Sequence, residues 1–288
     1  MHPKIKSFYD AETYTLTYLV YDENNTAVLI DPVLNYDPAA SKVSRESINE
    51  IVGFLKENNL DLQLILETHA HADHITGSDV LKELFPRVRV GISENIREVQ
   101  KTFKKMFNIE DIDENGSQFD LLLKDGEVLT IGDISIKVLF TPGHTPACAS
   151  FLIGDSLFTG DALFMPDFGT GRCDFPGGSS EQLYHSIHEA LYSLPDETKV
   201  YVGHDYQPGG RELKYETTIG ESKRDNIQLK SSTSESEFIS FRDARDKTLS
   251  APKLLLQSIQ LNINSGKIPE AESNGVSYIK MPLSLAED

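Results

Sequence analysis

This chain of 288 residues contains no tryptophan and only two cysteines, Cys148 and Cys173. Two thiols build no disulfide framework, so a reducing cytoplasm is the expected compartment. Positive charge is scarce too. Lys and Arg total 27 against 45 Asp and Glu, a formal net charge of −18. A general nucleic-acid binder neutralises phosphates with a basic face, and docking on anionic lipid needs the same, so neither partner is expected. No apolar run approaches the ~18 residues of a membrane span. The start, Met1 to Tyr9, lacks the apolar stretch of a signal peptide. There is no clear internal repeat and no long low-complexity linker. A chain of this size buries about three quarters of its unfolded surface, so its core requires neither disulfide nor metal.

Strands and helices are interleaved. Tyr14, Leu16, Tyr18 and Val20 alternate with Thr15, Thr17 and Leu19, the period of a half-buried strand. Asp22 to Asn25 is turn chemistry, and Ala27 to Ile30 completes a hairpin. Ile48, Ile51, Val52 and Leu55 follow helical spacing, with Asn58 and Asn59 as the stop. Leu62 to Leu66 reads as a buried strand, Ser78 to Phe85 as a helix ended by Pro86, and Val88 to Ile92 as a strand. Ile96, Val99, Phe103 and Phe107 mark a helix, as do Leu183, Ile187 and Leu191, with Lys199 to Val202 a strand between them and the tail. Cys148 falls in an apolar strand. After about Gly210 the chain is more polar and helical in places, and Lys230 to Glu237 reads as a Ser/Glu-rich surface loop. Interleaving implies a layered α/β sandwich.

Three of the eight histidines lie within six residues, His69-Ala70-His71-Ala72-Asp73-His74, directly after the apolar strand. In an extended segment, residues i and i+2 share a side, so His69, His71 and Asp73 would converge, with His74 at the turn into the helix. Imidazole and carboxylate at a strand end suit Zn or Fe. Three further strand ends carry His or Asp beside Gly: Gly143-His144, Gly160-Asp161 and Gly203-His204. One such histidine is an ordinary hydrogen-bonded core residue. Four strand ends together make a constellation.

The order THxHxDH, GHT, GD, GH, at Thr68–His74, Gly143–Thr145, Gly160-Asp161 and Gly203-His204, resembles the metallo-β-lactamase superfamily over roughly the first 210 residues. That resemblance implies an α/β (α+β) fold, the αββα sandwich, with the metal site at one edge. Residues 1–210 would form the sandwich core, and 211–288 a C-terminal helical extension packed on it within the same domain. Two chemistries stay open. In the dinuclear hydrolases, of the glyoxalase II type, one metal takes the positions of His69, His71 and His144, the other those of Asp73, His74 and His204, and Asp161 bridges. Two Zn ions flanking a hydroxide suit hydrolysis of glutathione thioesters. In the persulfide dioxygenases one Fe(II) takes only the positions of His69, His144 and Asp161, a two-His-one-carboxylate triad with open positions. His71, Asp73, His74 and His204 then orient ligands and water.

Thr68 to Gly77, Thr159 to Pro166, Gly171 to Gly178 and His204-Asp205-Tyr206 are similar to persulfide dioxygenases and to the β-lactamase hydrolase-like proteins. Asn274 to Lys280 resembles the latter. Cys173 stands where a Thr is common, and Ala147 where the turn often has Gly. The resemblance implies oxidation of glutathione persulfide by O2 to sulfite and glutathione, one Fe(II) per chain, and a homodimer. It assigns substrate contacts to Arg172 and Tyr206. The first suits an anionic substrate, because a guanidinium forks onto carboxylate. The bland alternative for Arg172 is a loop salt bridge with Asp167 or Asp174. Arg211, Lys214, Lys223 and Arg224 are further cations for the rim, and Phe164, Phe168 and Phe175 candidate walls. Cys173 reads as either a reactive thiol or a small packed side chain.

Overall fold

The computed structural model describes residues 3–283. The first half contributes β1 (Lys4–Asp10), β2 (Thr15–Tyr21), β3 (Thr26–Ile30), β4 (Val33–Asp37), β5 (Lys42–Ser44), β6 (Asp61–Leu66), β7 (Ile75–Thr76), β8 (Arg89–Ser93) and β9 (Leu121–Leu123). Between them run α1 (Glu46–Glu57), α2 (Ser78–Leu84) and α3 (Ile96–Phe107). The second half contributes β10 (Val128–Ile131), β11 (Ile134–Phe140), β12 (Ala149–Ile153), β13 (Ser156–Phe158), β14 (Lys199–Tyr201) and β15 (Glu216–Thr218). Its helices are α4 (Ser180–His185), which runs into a π-helical turn Ser186–Leu191, then α5 (Ile219–Asp225), α6 (Glu235–Asp246) and α7 (Leu255–Asn262).

Two six-stranded sheets form, in the orders β1-β2-β3-β6-β8-β9 and β10-β11-β12-β13-β14-β15. The alternation in the sequence decides which face meets what. Leu16, Tyr18, Val20, Val28, Ile30, Leu64 and Leu66 enter the core shared with Ile134, Ile136, Val138, Phe151 and Leu157 of the second sheet. Leu19, Ala27, Leu29, Leu62 and Ile65 point the other way, onto Ile48 and Ile51 of α1, Leu81 of α2, Val99 and Phe103 of α3, and Ile259 of α7. Each such buried side chain contributes about 1.5–3 kcal/mol, so a one-residue slip would expose a whole face. Leu183, Ile187 and Phe238 close the second sheet's side. The fold is the expected mixed α/β sandwich.

Some local readings change. β1 pairs with β2 along its whole length, although its Lys4, Lys6 and Asp10 disguise it in the sequence. Ser234 to Glu237 is not loop but a capping box that starts α6. Cys148 is buried but precedes β12, its sulfur bonded to Thr145. β15 lies past residue 210 and completes the second sheet beside β14. No helix among the described residues is long and apolar enough to cross a membrane.

Candidate metal centre

All four motifs follow strands: β6, β11, β13 and β14. At two of these ends, after β11 and β13, glycine permits a sharp turn, Gly143 and Gly160 taking positive φ. Gly160 has φ +48°, and a Cβ there would strike Thr68. A Cβ at Gly171 would overlap the Asp161 carbonyl. The segment from Thr68 to His74 is irregular rather than extended. The His69 and His71 rings still meet at 4.1 Å, but His69, His71 and Asp73 form no group of three mutually close donors among the described residues. Instead His69 joins His144 and Asp161, with one donor atom from each within 4.8 Å of the others. Asp161 Oδ2 lies 3.5 Å from His144 Nε2 and 4.0 Å from His69 Nε2.

The outer nitrogens are held. His144 Nδ1–H donates to the Arg172 carbonyl at 2.7 Å. Thr68 Oγ1 donates to Asp31 Oδ2 at 2.7 Å, which leaves its lone pair to accept from His69 Nδ1 at 3.0 Å. Both rings therefore present Nε2 inward, the tautomer that backing groups impose on metal-ligating histidines. His71 Nε2 sits 3.0 Å from Asp31 and 3.4 Å from Glu67. Burial opposes charge on His71, but Asp31 and Glu67 outweigh it and raise its pKa well above the ordinary histidine value. Burial lowers that of His69 well below it, and charge on His71 and His144 adds to the effect.

Asp73 joins the remaining pieces. Its Oδ2 is 3.2 Å from His74 Nδ1 and 3.4 Å from His204 Nε2, and His204 Nδ1–H donates to the Tyr14 carbonyl at 3.2 Å. His71, Asp73 and His74 form a second group of mutually close donors, and Asp31, Glu67 and His71 a third. Among the described residues, no such group of three contains His204. Four buried imidazole nitrogens in this edge, His69 Nε2, both of His71 and His74 Nε2, make no well-formed hydrogen bond, His71 Nε2 meeting Asp31 and Glu67 only as an ion pair. Unpaired buried donors and acceptors are costly, and nitrogen and carboxylate oxygen are donor atoms of Zn and Fe. The residues fit a metal ion.

A cavity of about 420 Å³ opens onto His144, Asp161 and Asp73. Phe164, Phe168 and Tyr206 wall it. Tyr206 stacks on Phe168 at 4.7 Å and on His204 at 5.5 Å. Tyr206 stands at the cavity's edge, 37% exposed. Desolvation of its phenol among these rings, with the charges of Asp161 and Asp73, raises its pKa above the usual value. Phe175 packs instead against Phe103 and the His144 ring. Arg172 also lines the cavity, but its guanidinium forks onto Asp174 at 2.5 Å and reaches the Ser250 carbonyl at 2.8 Å. Its backbone carbonyl, which orients His144, is the part nearest the metal ligands. Three of the four rim cations expected from the sequence are occupied elsewhere: Arg211 bridges Asp167 and buried Asp205, Lys223 meets Asp196, and Arg224 meets Asp225. Lys214 does not line the cavity. Cys173 is buried, and burial pushes its thiol far up, so it is a packed thiol and not a thiolate.

Several residues that position the centre escape sequence reasoning. Asp31 backs two histidines, and its only sequence mark is a place just after β3. Asn262, at the end of α7, donates to the carbonyls of His71 and His74 at 2.8 and 2.7 Å and accepts from Thr76 N–H at 2.9 Å. On α6, fully buried Arg242 pairs with Asp246 at 2.5 Å, and Asp246 accepts from Cys173 N–H at 2.7 Å. Gln228 accepts from Thr170 N–H and Arg242 and donates to the Phe168 carbonyl. The loop that carries the Arg172 carbonyl is thus braced from the tail.

Comparison with known proteins agrees with this geometry. The family described as the metallo-beta-lactamase superfamily matches residues 11–204. A protein named Glyoxylase B2 from Dictyostelium discoideum is 46% identical over 284 residues, 98% of this chain and 97% of that one. Human "Persulfide dioxygenase ETHE1, mitochondrial" is 36% identical over 205 residues, 70% of this chain and 68% of that one. The crystal structure of ETHE1 from Myxococcus xanthus superposes with a TM-score of 0.74 at 34% identity, covering 92% of this chain and all of that one.

Proposed function

The chain belongs to the metallo-β-lactamase superfamily, and from that premise we propose that it is a persulfide dioxygenase holding one Fe(II) per chain on His69, His144 and Asp161. The observation that carries the reading is the convergence of these three donors. His204 reaches the same carboxylate, 3.3 Å from Asp161 Oδ1, but completes no group of three mutually close donors among the described residues. The likeness to proteins named ETHE1 supports it. The reaction is GSSH + O2 + H2O → GSH + SO3²⁻ + 2 H⁺. The S–S bond breaks, the terminal sulfur gives up four electrons and O2 takes them. Held by His69, His144 and Asp161, an Fe(II) ion would supply the redox chemistry that joins sulfur and O2.

The chain's own part is geometry. Thr68 and the Arg172 carbonyl fix His69 and His144, so the reacting atoms are presented in one orientation. Phe164 and Phe168 give the cavity an apolar wall, with Tyr206 at its exposed edge. Tyr206 keeps its phenolic proton, because its pKa is raised, and is placed to donate it in a hydrogen bond to substrate. Arg172 and Asp174 form a charged wall beside His144. Reaction in the cytoplasm, without nucleic-acid or membrane partners, and as a homodimer, belongs to the same proposal.

A second reading is a dinuclear Zn hydrolase of glutathione thioesters. The His71–Asp73–His74 group favours it, as does the likeness to a protein named Glyoxylase B2. Anaerobic purification, metal analysis and O2 uptake with glutathione persulfide separate the two. One iron per chain with O2 consumption is expected. Two Zn ions with thioester hydrolysis and no O2 uptake would overturn the dioxygenase.

A further inference from the structure

We propose that Tyr14 is a positioning residue for the reaction, a strained aromatic whose ring seats Tyr206 against the metal cavity. The inference deepens the reading above and rests on its placing the Tyr206 phenol at the substrate. Residues 11–14 join β1 to β2. At such a turn a left-handed backbone ordinarily falls to Gly or Asn. Tyr14 adopts it, at φ +60°, a conformation unfavourable for a bulky side chain. Eight non-glycine residues take positive φ among the described residues, and the other seven are polar. The Tyr14 ring gains no core burial in return: it is 41% exposed, lines the metal cavity and lies 5.5 Å from the Tyr206 ring. A glycine would make this turn without strain. Strain retained at a cavity, together with the ring that causes it, points to a functional constraint.

The backbone around Tyr14 is clamped. Before it, Thr13 donates its N–H and its hydroxyl to Asp10 Oδ2 at 2.9 and 2.7 Å. After it, Leu16 N–H donates to the Gly203 carbonyl at 2.8 Å. The Tyr14 carbonyl itself accepts from His204 Nδ1–H and from Asp205 N–H, both at 3.2 Å. Rotation out of the left-handed region would swing this carbonyl away from its donors. The bonds that hold His204 therefore also fix the Tyr14 ring over the cavity. Tyr206 needs such a neighbour. Among the described residues its hydroxyl makes no hydrogen bond, so ring packing sets where the phenol points. Phe168, His204 and Phe164 hold it at 4.7, 5.5 and 6.2 Å. Those three follow strands of the second sheet, and Tyr14 is the ring brought by the first.

Steady-state O2 uptake by the iron-loaded full chain with glutathione persulfide tests this. Tyr14→Phe keeps ring and strain, and should stay within about twofold of wild type. Tyr14→Gly and Tyr14→Asn tolerate the same φ but lack the ring, and each should lower kcat/KM about fivefold with iron content intact. In a Tyr206→Ala background the same two changes should cost less than about twofold, because the ring they remove acts through Tyr206. Wild-type kcat/KM in the Gly and Asn variants, or equal losses in both backgrounds, would overturn the proposal. Hydrolysis of a glutathione thioester is measured on the same proteins. Hydrolysis without O2 uptake sinks the dioxygenase, and the same non-additive pattern in that reaction leaves Tyr14 standing. O2 uptake with equal losses in both backgrounds sinks Tyr14 alone. Absence of both turnovers sinks both.

Discussion

His69 and His144 turn their Nδ1 protons outward, to Thr68 and to the Arg172 carbonyl, and leave Nε2 free to face Asp161. In the set of Asp73, His74 and His204, His74 is arranged otherwise, because it spends Nδ1 on Asp73. His204 gives Nδ1 to the Tyr14 carbonyl, as His144 does to that of Arg172, but its Nε2 meets two carboxylates, Asp73 at 3.4 Å and Asp161 at 3.3 Å. The first set is organised for a guest before one arrives. The second is partly satisfied from within, so an ion between its members would have to compete with contacts already made. Seven potential ligands in the sequence therefore do not imply two equivalent metal sites. What separates them is the backing around each ring, which a ligand motif does not encode.

The sharpest way to break this comparison is to delete one member of each half. His69→Ala and Asp161→Ala should each abolish metal binding and activity. His204→Ala should keep one metal per chain and lose activity between ~10-fold and ~100-fold. A whole equivalent of metal lost from the His204 variant, read by elemental analysis, would mean that the halves are equivalent after all.

Asp246→Ala tests the brace on the His144 side. It strands buried Arg242 without its carboxylate, which should cost about 3–5 kcal/mol of stability, read from the denaturation midpoint. A loss below about 1 kcal/mol would show that α6 does not hold the loop. Asp31→Asn should weaken metal binding ~10-fold to ~100-fold in chelator competition, because it loosens the support of both His69 and His71. Unchanged affinity would remove Asp31 from the centre. Arg172→Met should raise KM for glutathione persulfide about fivefold, worth roughly 1 kcal/mol, with iron content intact. An unaltered KM would confine the residue's role to its backbone carbonyl. Thr15→Val removes contacts of 3.4 Å to His74 and 3.5 Å to His204 and Asp73, along with a 2.8 Å bond to Thr13, and touches neither His69 nor His144. It should cost about twofold in activity and no metal, and measurable metal loss would blur the line between the halves.

Much of the fold was legible in residue spacing. β2, β3, α1 and α3 follow their periods because each packs one face on a continuous core. β1 was not legible, since its polar positions interrupt the alternation. The start of α6 was misread because Ser and Glu in succession look like loop, while Ser234 and Glu237 at that spacing cap a helix. The ligand candidates were legible as His and Asp beside Gly at strand ends. Their partition was not, because it depends on Asp31, the Arg172 carbonyl and Asn262. Asn262 is 191 residues from its partner His71, and no local pattern announces such a bond.

That amide has a further consequence. Asn262 ties the histidine loop to α7 through two donated bonds and one accepted bond, so loop and tail open together or not at all. In hydrogen exchange, the Thr76 amide should exchange only through global unfolding, at the rate of the core strands. A chain cut near residue 210 would then be no minimal enzyme awaiting an accessory piece, but one whose ligand loop has lost its cooperative partner.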